Sequence, residues 1–306
     1  MKKKGWLKLG LFLLMIGSLG MFLYQKNQSI QGEEDYKNAQ QIAQTETTEA
    51  PTTAPPETEP PETEPPETEP PEVIYDVWQE VEIADDSYLE ELKETNLEAL
   101  REVNEDVVGW IAIPDTKLSY PLMPGSEGDY YLKRTWKKES SIAGSIFIEN
   151  LCSDDLTDFN TVFYGHRMND GSMFASLKYY NSEEHWEKHP YVYIFDDNGA
   201  HRYEIFAAYE ASLEGRTYQI GFKNDEYKET FLEACVGYSV IDTGVKPTIY
   251  DKVITLSTCT GRGYETRWVV QARLEGEVVQ KAESELDEDD VVLGVYEETK
   301  TEGTNP

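Results

Sequence analysis

Residues 253–274 read VITLSTCTGRGYETRWVVQARL, and this stretch predicts two strands joined by a short loop. The first four residues are apolar or β-branched, a composition typical of a core strand. From Arg267 to Leu274, apolar residues alternate with mixed ones, which indicates a second strand with one buried face. Gly261 and Gly263 lie in the loop and allow the chain to reverse direction.

Pairing of these two strands would bring a thiol next to a guanidinium. Cys259 ends the first strand and Arg267 begins the second, and neighbouring strands lie about 4.8 Å apart. A nearby cation favours the nucleophilic thiolate of a cysteine and can also stabilise an oxyanion. Arg262 in the loop and Arg273 further along the strand are alternatives to Arg267. We favour Arg267 because it stands on the firmer backbone of the strand entry, whereas Arg273 is expected to face solvent.

One of the four histidines occupies a position typical of functional residues. His166 follows the apolar residues 162–165 and precedes a polar turn, and a strand end is where a rigid scaffold meets an exposed loop. We therefore predict that His166 is catalytic, with a purely structural histidine as the alternative. His185 and His189 lie in a polar stretch, and His201 follows a turn, so all three are expected at the surface.

Composition restricts the class of protein. The 306 residues carry a formal net charge of -32, which does not suit a nucleic-acid-binding protein because such proteins must neutralise phosphates. The three cysteines include no Cys-x-x-Cys pair, so no zinc site is predicted. An odd number of cysteines leaves at least one free thiol. Cys152 and Cys235 either form a disulfide or, in the case of Cys235, fill a buried position of a helix.

The N-terminal residues 1–24 begin with three lysines and continue as a largely apolar run. Such a run approaches the ~20 residues of a membrane helix, and lysines before it favour a cytoplasmic N-terminus. We predict a single-pass anchor in the cell membrane, with everything after it on the outer face. A cleaved signal peptide is the alternative, but the apolar run continues past its small residues.

Residues 25–80 are predicted to be an extended, acidic, Pro-rich tether. They contain three copies of Glu-Thr-Glu-Pro-Pro, at 57–61, 62–66 and 67–71. Proline pairs favour polyproline II, so residues 50–72 could span about 70 Å at ~3.1 Å per residue. A Pro-rich ligand for a partner is the alternative to a spacer. The acidic tail, residues 277–306, is predicted to be disordered, although 291–296 could form a small element.

Residues 81–276 are predicted to form one folded domain, mainly β with appended helices. Residues 87–103 carry an apolar stripe at helical spacing and are expected to form one or two helices that pack on the domain. Short strands are predicted at 110–114, 118–122, 144–148, 161–164, 191–195 and 203–209, with helical pieces at 172–180 and 225–238. Many short strands with few helices favour a closed or nearly closed β-barrel.

Several motifs of the chain resemble those of the sortases, and of class B in particular. They are NTVFYGHRMNDGSMF at 160–174, TLSTC at 255–259 and TRWVV at 266–270, with VGWIAIP at 108–114 and YPL at 120–122 before them. The resemblance covers residues 87–274. It implies an eight-stranded sortase-type barrel with N-terminal helices packed on it. Several class B sortases carry an acidic residue directly after the cysteine, where this chain has Thr260, and Glu265 is the only nearby substitute.

The resemblance also implies a cysteine transpeptidase that needs no cofactor. Cys259 would be the nucleophile, His166 the general acid/base and Arg267 the cation on the oxyanion side. The implied substrates are secreted proteins with an Asn-Pro-x-Thr-like C-terminal sorting signal, cleaved after threonine through a thioester. The implied acceptor is an amine of a peptidoglycan precursor or of a pilin. Two alternatives are an endopeptidase that only hydrolyses its thioester and a non-catalytic anchored surface module.

Overall fold

The fold is a closed β-barrel in the computed structural model, which describes residues 3–45, 86–128, 130–261, 265–275 and 292–293. The strands are β1 (Gly109–Ala112), β2 (Ser119–Met123), β3 (Ile146–Ile148), β4 (Asn160–Tyr164), β5 (Tyr191–Asp196), β6 (Gly199–Ser212), β7 (Gln219–Ile220), β8 (Val253–Cys259), β9 (Thr266–Leu274) and β10 (Val292–Leu293). Eight of them close the barrel in the order β1-β2-β3-β4-β8-β9-β6-β5. The predicted eight-stranded barrel with helices is confirmed.

Helices lie around this barrel. They are α1 (Lys3–Ala43), α2 (Ser87–Lys93), α3 (Leu97–Val103), α4 (Glu183–Lys188) and α5 (Asp225–Tyr238), with 3-10 segments at Tyr131–Lys133, Phe174–Asn181 and Arg216–Tyr218. Side chains of Asp86, Asn96 and Asn224 accept backbone N–H groups at the starts of α2, α3 and α5. These caps satisfy donors that the first helical turn leaves open. The amphipathic stretch 87–103 therefore forms two helices, as predicted.

The strand that ends in Cys259 has a parallel neighbour on one side and an antiparallel one on the other. β8 pairs with β4 in parallel register from Asn160 opposite Val253 to Tyr164 opposite Ser257. It pairs with β9 in antiparallel register, which ends at Cys259. A parallel pair needs a long crossover, and the chain between β4 and β8 supplies it while adding two further barrel strands, β5 and β6. The apolar residues of β4 and β8 are buried in the core.

Helix α1 corrects the predicted start of the tether. Residues 25–43 are helical rather than extended, and Tyr36, Ala39 and Ala43 are buried against the barrel. Gly32 continues the same face of the helix, where its backbone lies against Ser141. The spacing of these four positions is that of a helical stripe, but glycine and alanine made it inconspicuous among polar residues. Residues 46–80 of the predicted tether lie outside the described residues.

Neither terminal prediction is confirmed. Across the described part of the chain, no helix combines the length and apolar character needed to cross a membrane. The anchor over residues 1–24 stays a prediction. Of the predicted disordered tail, only 292–293 are described, and they form β10, which pairs antiparallel with β7.

Arg202 on β6 ties together the two ends of the barrel domain. Its guanidinium donates to Asp86, before α2, at 2.8 Å and also to Glu275, after β9. Tyr193 donates its hydroxyl to the same Asp86 carboxylate at 2.6 Å. Burial alone would raise the pKa of Asp86, but the hydrogen bonds from Tyr193 and Arg202 outweigh burial and lower that pKa below its usual value.

The substitution Arg202→Met should destabilise the protein by about 2–3 kcal/mol at pH 7, because it leaves two half-buried carboxylates without their cation. The folded pKa of Asp86 is depressed, so its stabilisation is present above the unfolded value of about 3.9 and is lost as the pH falls through the lower folded value. The difference between wild type and variant should therefore shrink at pH 3. Urea unfolding at both pH values measures it.

Lys188→Met is the matched control for this prediction, since Lys188 pairs with Glu184 at 2.8 Å on an exposed surface. Such pairs contribute less than about 1 kcal/mol. The prediction is contradicted if Arg202→Met and the control lose the same free energy of unfolding at pH 7. It is also contradicted if the loss in Arg202→Met is the same at pH 7 and pH 3.

Candidate active site

Cys259 and Arg267 lie on the neighbouring strands β8 and β9, and His166 follows the end of β4, the neighbour of β8 on its other side. The parallel ladder of β4 and β8 ends with Tyr164 opposite Ser257, and both chains continue for two residues, to His166 and to Cys259. The antiparallel ladder of β8 and β9 pairs Cys259 with Arg267. The predicted proximity of Cys259 to Arg267 is thus confirmed, and the imidazole comes from the strand on the other side of the thiol.

Hydrogen bonds beyond the ladder keep the His166 segment against the end of β8. Gly165 donates its N–H to the Ser257 carbonyl at 3.3 Å, and its own carbonyl accepts the Thr258 hydroxyl at 2.7 Å. Phe174 closes the following turn by donating its N–H to the His166 carbonyl at 3.0 Å. A Cβ at position 165 would lie 2.7 Å from the Phe174 ring. Only glycine therefore fits between the strand end and that ring.

The His166 ring is oriented by a backbone carbonyl. Its Nε2 lies 2.8 Å from the oxygen of Leu132, in the 3-10 segment Tyr131–Lys133. A carbonyl oxygen can only accept, so Nε2 carries a proton, and a neutral imidazole then has its lone pair on Nδ1. The ring is half-buried. The partner that fixes this tautomer is a main-chain atom, which no sequence pattern identifies.

A second arginine bridges the His166 and Cys259 segments. Arg167 donates from Nη1 to the Thr260 carbonyl, directly after the cysteine. Its guanidinium lies 3.1–3.2 Å from where a Cβ of Gly261 would stand, and Gly261 has a φ of +79°. The loop after the cysteine is thus held by the residue that follows the histidine. Arg167 lies within the motif at 160–174, but no pattern in the sequence predicts this contact.

Arg267, the candidate cation, and the carboxylate Glu210 lie on the β9 and β6 side of the thiol. Arg267 is half-buried and donates from Nη1 to the Thr266 carbonyl at 3.1 Å. Thr266 donates its hydroxyl to Glu210 on β6 at 2.6 Å, and lies 3.4 Å from the Thr260 hydroxyl. The sequence offered Glu265 as the only nearby acid. Glu210 was missed because it is distant in the chain and approaches only through the pairing of β6 with β9.

Cys259 differs from the other two cysteines in its exposure. All three are free thiols, with Cys152 and Cys235 buried and Cys259 half-buried, so the Cys152–Cys235 disulfide considered above does not form. Burial raises the pKa of Cys152 to about 12 and that of Cys235 to about 11. A thiol with such a pKa is protonated at neutral pH and unreactive.

Four other candidates from the sequence, His185, His189, His201 and Arg273, are not part of this site, and all four are half-buried rather than exposed as predicted. His185 and His189 are half-buried at α4, where their rings are 4.7 Å apart. His201 is half-buried, 3.2 Å from Asp196, and Arg273 pairs with Glu204 at 2.6 Å. Arg262 is outside the described residues. Among described residues, no three His, Cys, Asp or Glu side chains form a group that could hold a metal.

Comparison with known proteins agrees with this geometry. The model of the sortase domain family matches residues 111–275. Sortase B of Listeria monocytogenes is 37% identical over 180 residues, which cover 58% of this chain and 73% of the relative.

Solved structures agree as well. A crystal structure of Staphylococcus aureus sortase B superposes with a TM-score of 0.57 at 31% identity, covering 63% of this chain and 92% of that one. A substrate complex of S. aureus sortase B superposes with a TM-score of 0.55 at 31% identity and covers 60% and 85% of the two chains.

The chain belongs to the sortase family, whose members are cysteine transpeptidases. Within that family it is a class B sortase, as its relatives and its barrel show. The endopeptidase and the anchored-module alternatives are set aside by this membership.

Thiol labelling should separate the three cysteines. A charged methanethiosulfonate reagent at pH 7.5 should modify one thiol per folded chain, because only Cys259 is accessible, and three per chain in denaturant. Mass spectrometry counts the adducts. Cys259→Ala is the control and should show none when folded. One native adduct on that variant would contradict the assignment.

Proposed function

We propose that this class B sortase cleaves the C-terminal sorting signal of secreted proteins with Cys259 as nucleophile, His166 as general acid/base and Arg267 as the oxyanion-side cation. The row of imidazole, thiol and guanidinium across three adjacent strands carries this assignment. Neighbouring strands are about 4.8 Å apart, so one carbonyl carbon at the sulfur is within reach of both flanking side chains.

In the first step the Cys259 thiol gives its proton to Nδ1 of His166. The thiolate then attacks the carbonyl of the threonine in the sorting signal and forms a C–S bond. Arg267 donates hydrogen bonds to the resulting oxyanion or to the substrate backbone beside it. When the tetrahedral intermediate collapses, the peptide C–N bond breaks. His166 returns the proton to the departing amine, which leaves a thioester on Cys259.

In the second step an amine attacks the thioester. His166, again neutral, accepts the proton that the amine loses, and Arg267 stabilises the second oxyanion. The C–S bond then breaks, and the proton on His166 returns to the sulfur. The product is a new amide, so free enzyme is regenerated without a net change of protonation.

The substrate class and the location are part of this proposal. The S. aureus relative has been solved as a substrate complex, which supports sorting-signal substrates for this chain. An Asn-Pro-x-Thr-like signal and an amine of a peptidoglycan precursor or of a pilin are the expected substrates. We also propose that the N-terminal segment attaches the enzyme to the cell membrane from its outer face, which suits secreted substrates.

The nucleophile is tested with a fluorogenic Asn-Pro-x-Thr peptide, with and without an added amine. Cys259→Ala should lose about 10⁴-fold or more in kcat/KM, since no other group can form the thioester. His166→Ala should fall comparably. Wild type should yield an amide-linked product with the amine and hydrolysed peptide without it. Near-normal cleavage by Cys259→Ala would eliminate the mechanism.

Arg267 is tested against another arginine of the same strand. Arg267→Gln should lower kcat by about 10²-fold, the effect of removing an oxyanion-side donor. Arg273→Gln should retain turnover. Arg273 lies at the other end of β9 from Arg267, and its guanidinium pairs with Glu204 at a distance of 2.6 Å. Steady-state kinetics on both variants measure the difference. Equal losses of kcat in the two variants would refute a specific role for Arg267.

A further inference from the structure

Tyr36 on α1 is a buried tyrosine that reaches two segments of the barrel domain. Its hydroxyl donates to the Gly144 carbonyl and lies 3.2 Å from the Ser145 hydroxyl oxygen. Its ring packs edge-on against Tyr120 of β2, with centroids 5.1 Å apart. Burial raises the pKa of Tyr36 above its usual value, so the hydroxyl keeps its proton and acts as a donor. Through these contacts, two routes of hydrogen-bonded and packed residues connect Tyr36 to His166.

The first route runs through the carbonyl that orients the imidazole. Ser145 donates its N–H to the Tyr131 carbonyl at 2.8 Å and its hydroxyl to the Arg134 carbonyl at 2.8 Å. These bonds hold both ends of the segment that presents the Leu132 carbonyl. Gly144 has a φ of +57°, and a Cβ there would overlap the Leu132 oxygen. The backbone that Tyr36 binds thus packs directly on the partner of His166.

The second route runs through the turn that follows the histidine. The Tyr120 hydroxyl accepts the Met173 N–H at 3.1 Å. Met173 adopts a φ of +55°, which non-glycine residues rarely adopt, so this conformation needs support from outside the turn. The next residue, Phe174, donates to the His166 carbonyl at 3.0 Å. Tyr36 packs on the ring that supplies this support.

We propose that Tyr36 is a positioning residue for His166, and that α1 completes the catalytic centre of the barrel. The hydroxyl of Tyr36 fixes the segment that holds the imidazole in its Nε2-protonated form, while its ring backs the turn after the histidine. Tyr36 touches no reacting atom. The inference rests on the acid/base role proposed for His166.

Tyr36→Phe separates the two contributions, because it keeps the ring on Tyr120 and removes only the hydroxyl. In the full chain with 15N-labelled histidine, the fraction of His166 protonated at Nε2 should decrease. kcat for the fluorogenic peptide should fall about tenfold with KM unchanged, since misplaced catalytic groups lower turnover rather than binding. Ser145→Ala cuts the same route without altering α1 and should act in the same direction.

Tyr180→Phe is the matched control, since Tyr180 is also buried and donates its hydroxyl to the His189 carbonyl at 2.7 Å. It should leave the His166 signals and kcat unchanged. If Tyr36→Phe and Ser145→Ala keep the wild-type His166 tautomer and kcat, the inference is wrong. The inference is also wrong if Tyr180→Phe lowers kcat as much as Tyr36→Phe does.

His166→Ala in the same assay distinguishes failure of the proposed mechanism from failure of the positioning role of Tyr36. Retained activity in that variant would remove the acid/base role, whatever the Tyr36 variants do. Loss of activity in His166→Ala together with an unchanged Tyr36→Phe would leave the mechanism intact and overturn only the positioning role. The histidine spectra report on Tyr36 even where no turnover is measured.

Discussion

The parallel pairing of β4 with β8 is the constraint on which this catalytic centre depends. It carries a histidine and a cysteine that are 93 positions apart in the sequence to the same barrel edge. The antiparallel partner β9 then adds Arg267, which pairs with Cys259. Parallel strands cannot be joined by a short turn, so the chemistry requires the long crossover between them. The hairpin β5–β6 in that crossover also supplies two further strands of the barrel.

Hydrogen bonds at this edge keep the side chains in place beyond the end of the ladder. Gly165 donates a hydrogen bond to Ser257 and accepts one from Thr258. Arg167 donates to the Thr260 carbonyl, directly after the cysteine. The segments that carry the imidazole and the thiol are therefore joined by hydrogen bonds on both sides of Cys259. A site built this way keeps its geometry without a substrate, which is what preorganised catalysis needs.

The parts of the site that depend on local sequence were predictable, and the parts that depend on tertiary contacts were not. The strand composition of 253–256 and the loop glycines predicted the pairing of Cys259 with Arg267, and the strand end predicted the place of His166. Glu210 and the Leu132 carbonyl could not be found, because one depends on sheet register and the other is a main-chain atom. The half-buried states of His185, His189 and His201 arise from tertiary packing that local polarity does not report.

Contacts at the start of α3 show where the chain enters the folded domain before the acidic repeats. Asn96 donates to the Ala43 carbonyl at 2.9 Å and to the Thr45 carbonyl at 3.2 Å, so the end of α1 is fixed to the domain. Asp86 is fixed to it as well, through Arg202. Residues 46–85 therefore connect two points of one folded body. Whatever their extension, they add nothing to the distance between the N-terminal segment and the catalytic centre, which α1 alone determines.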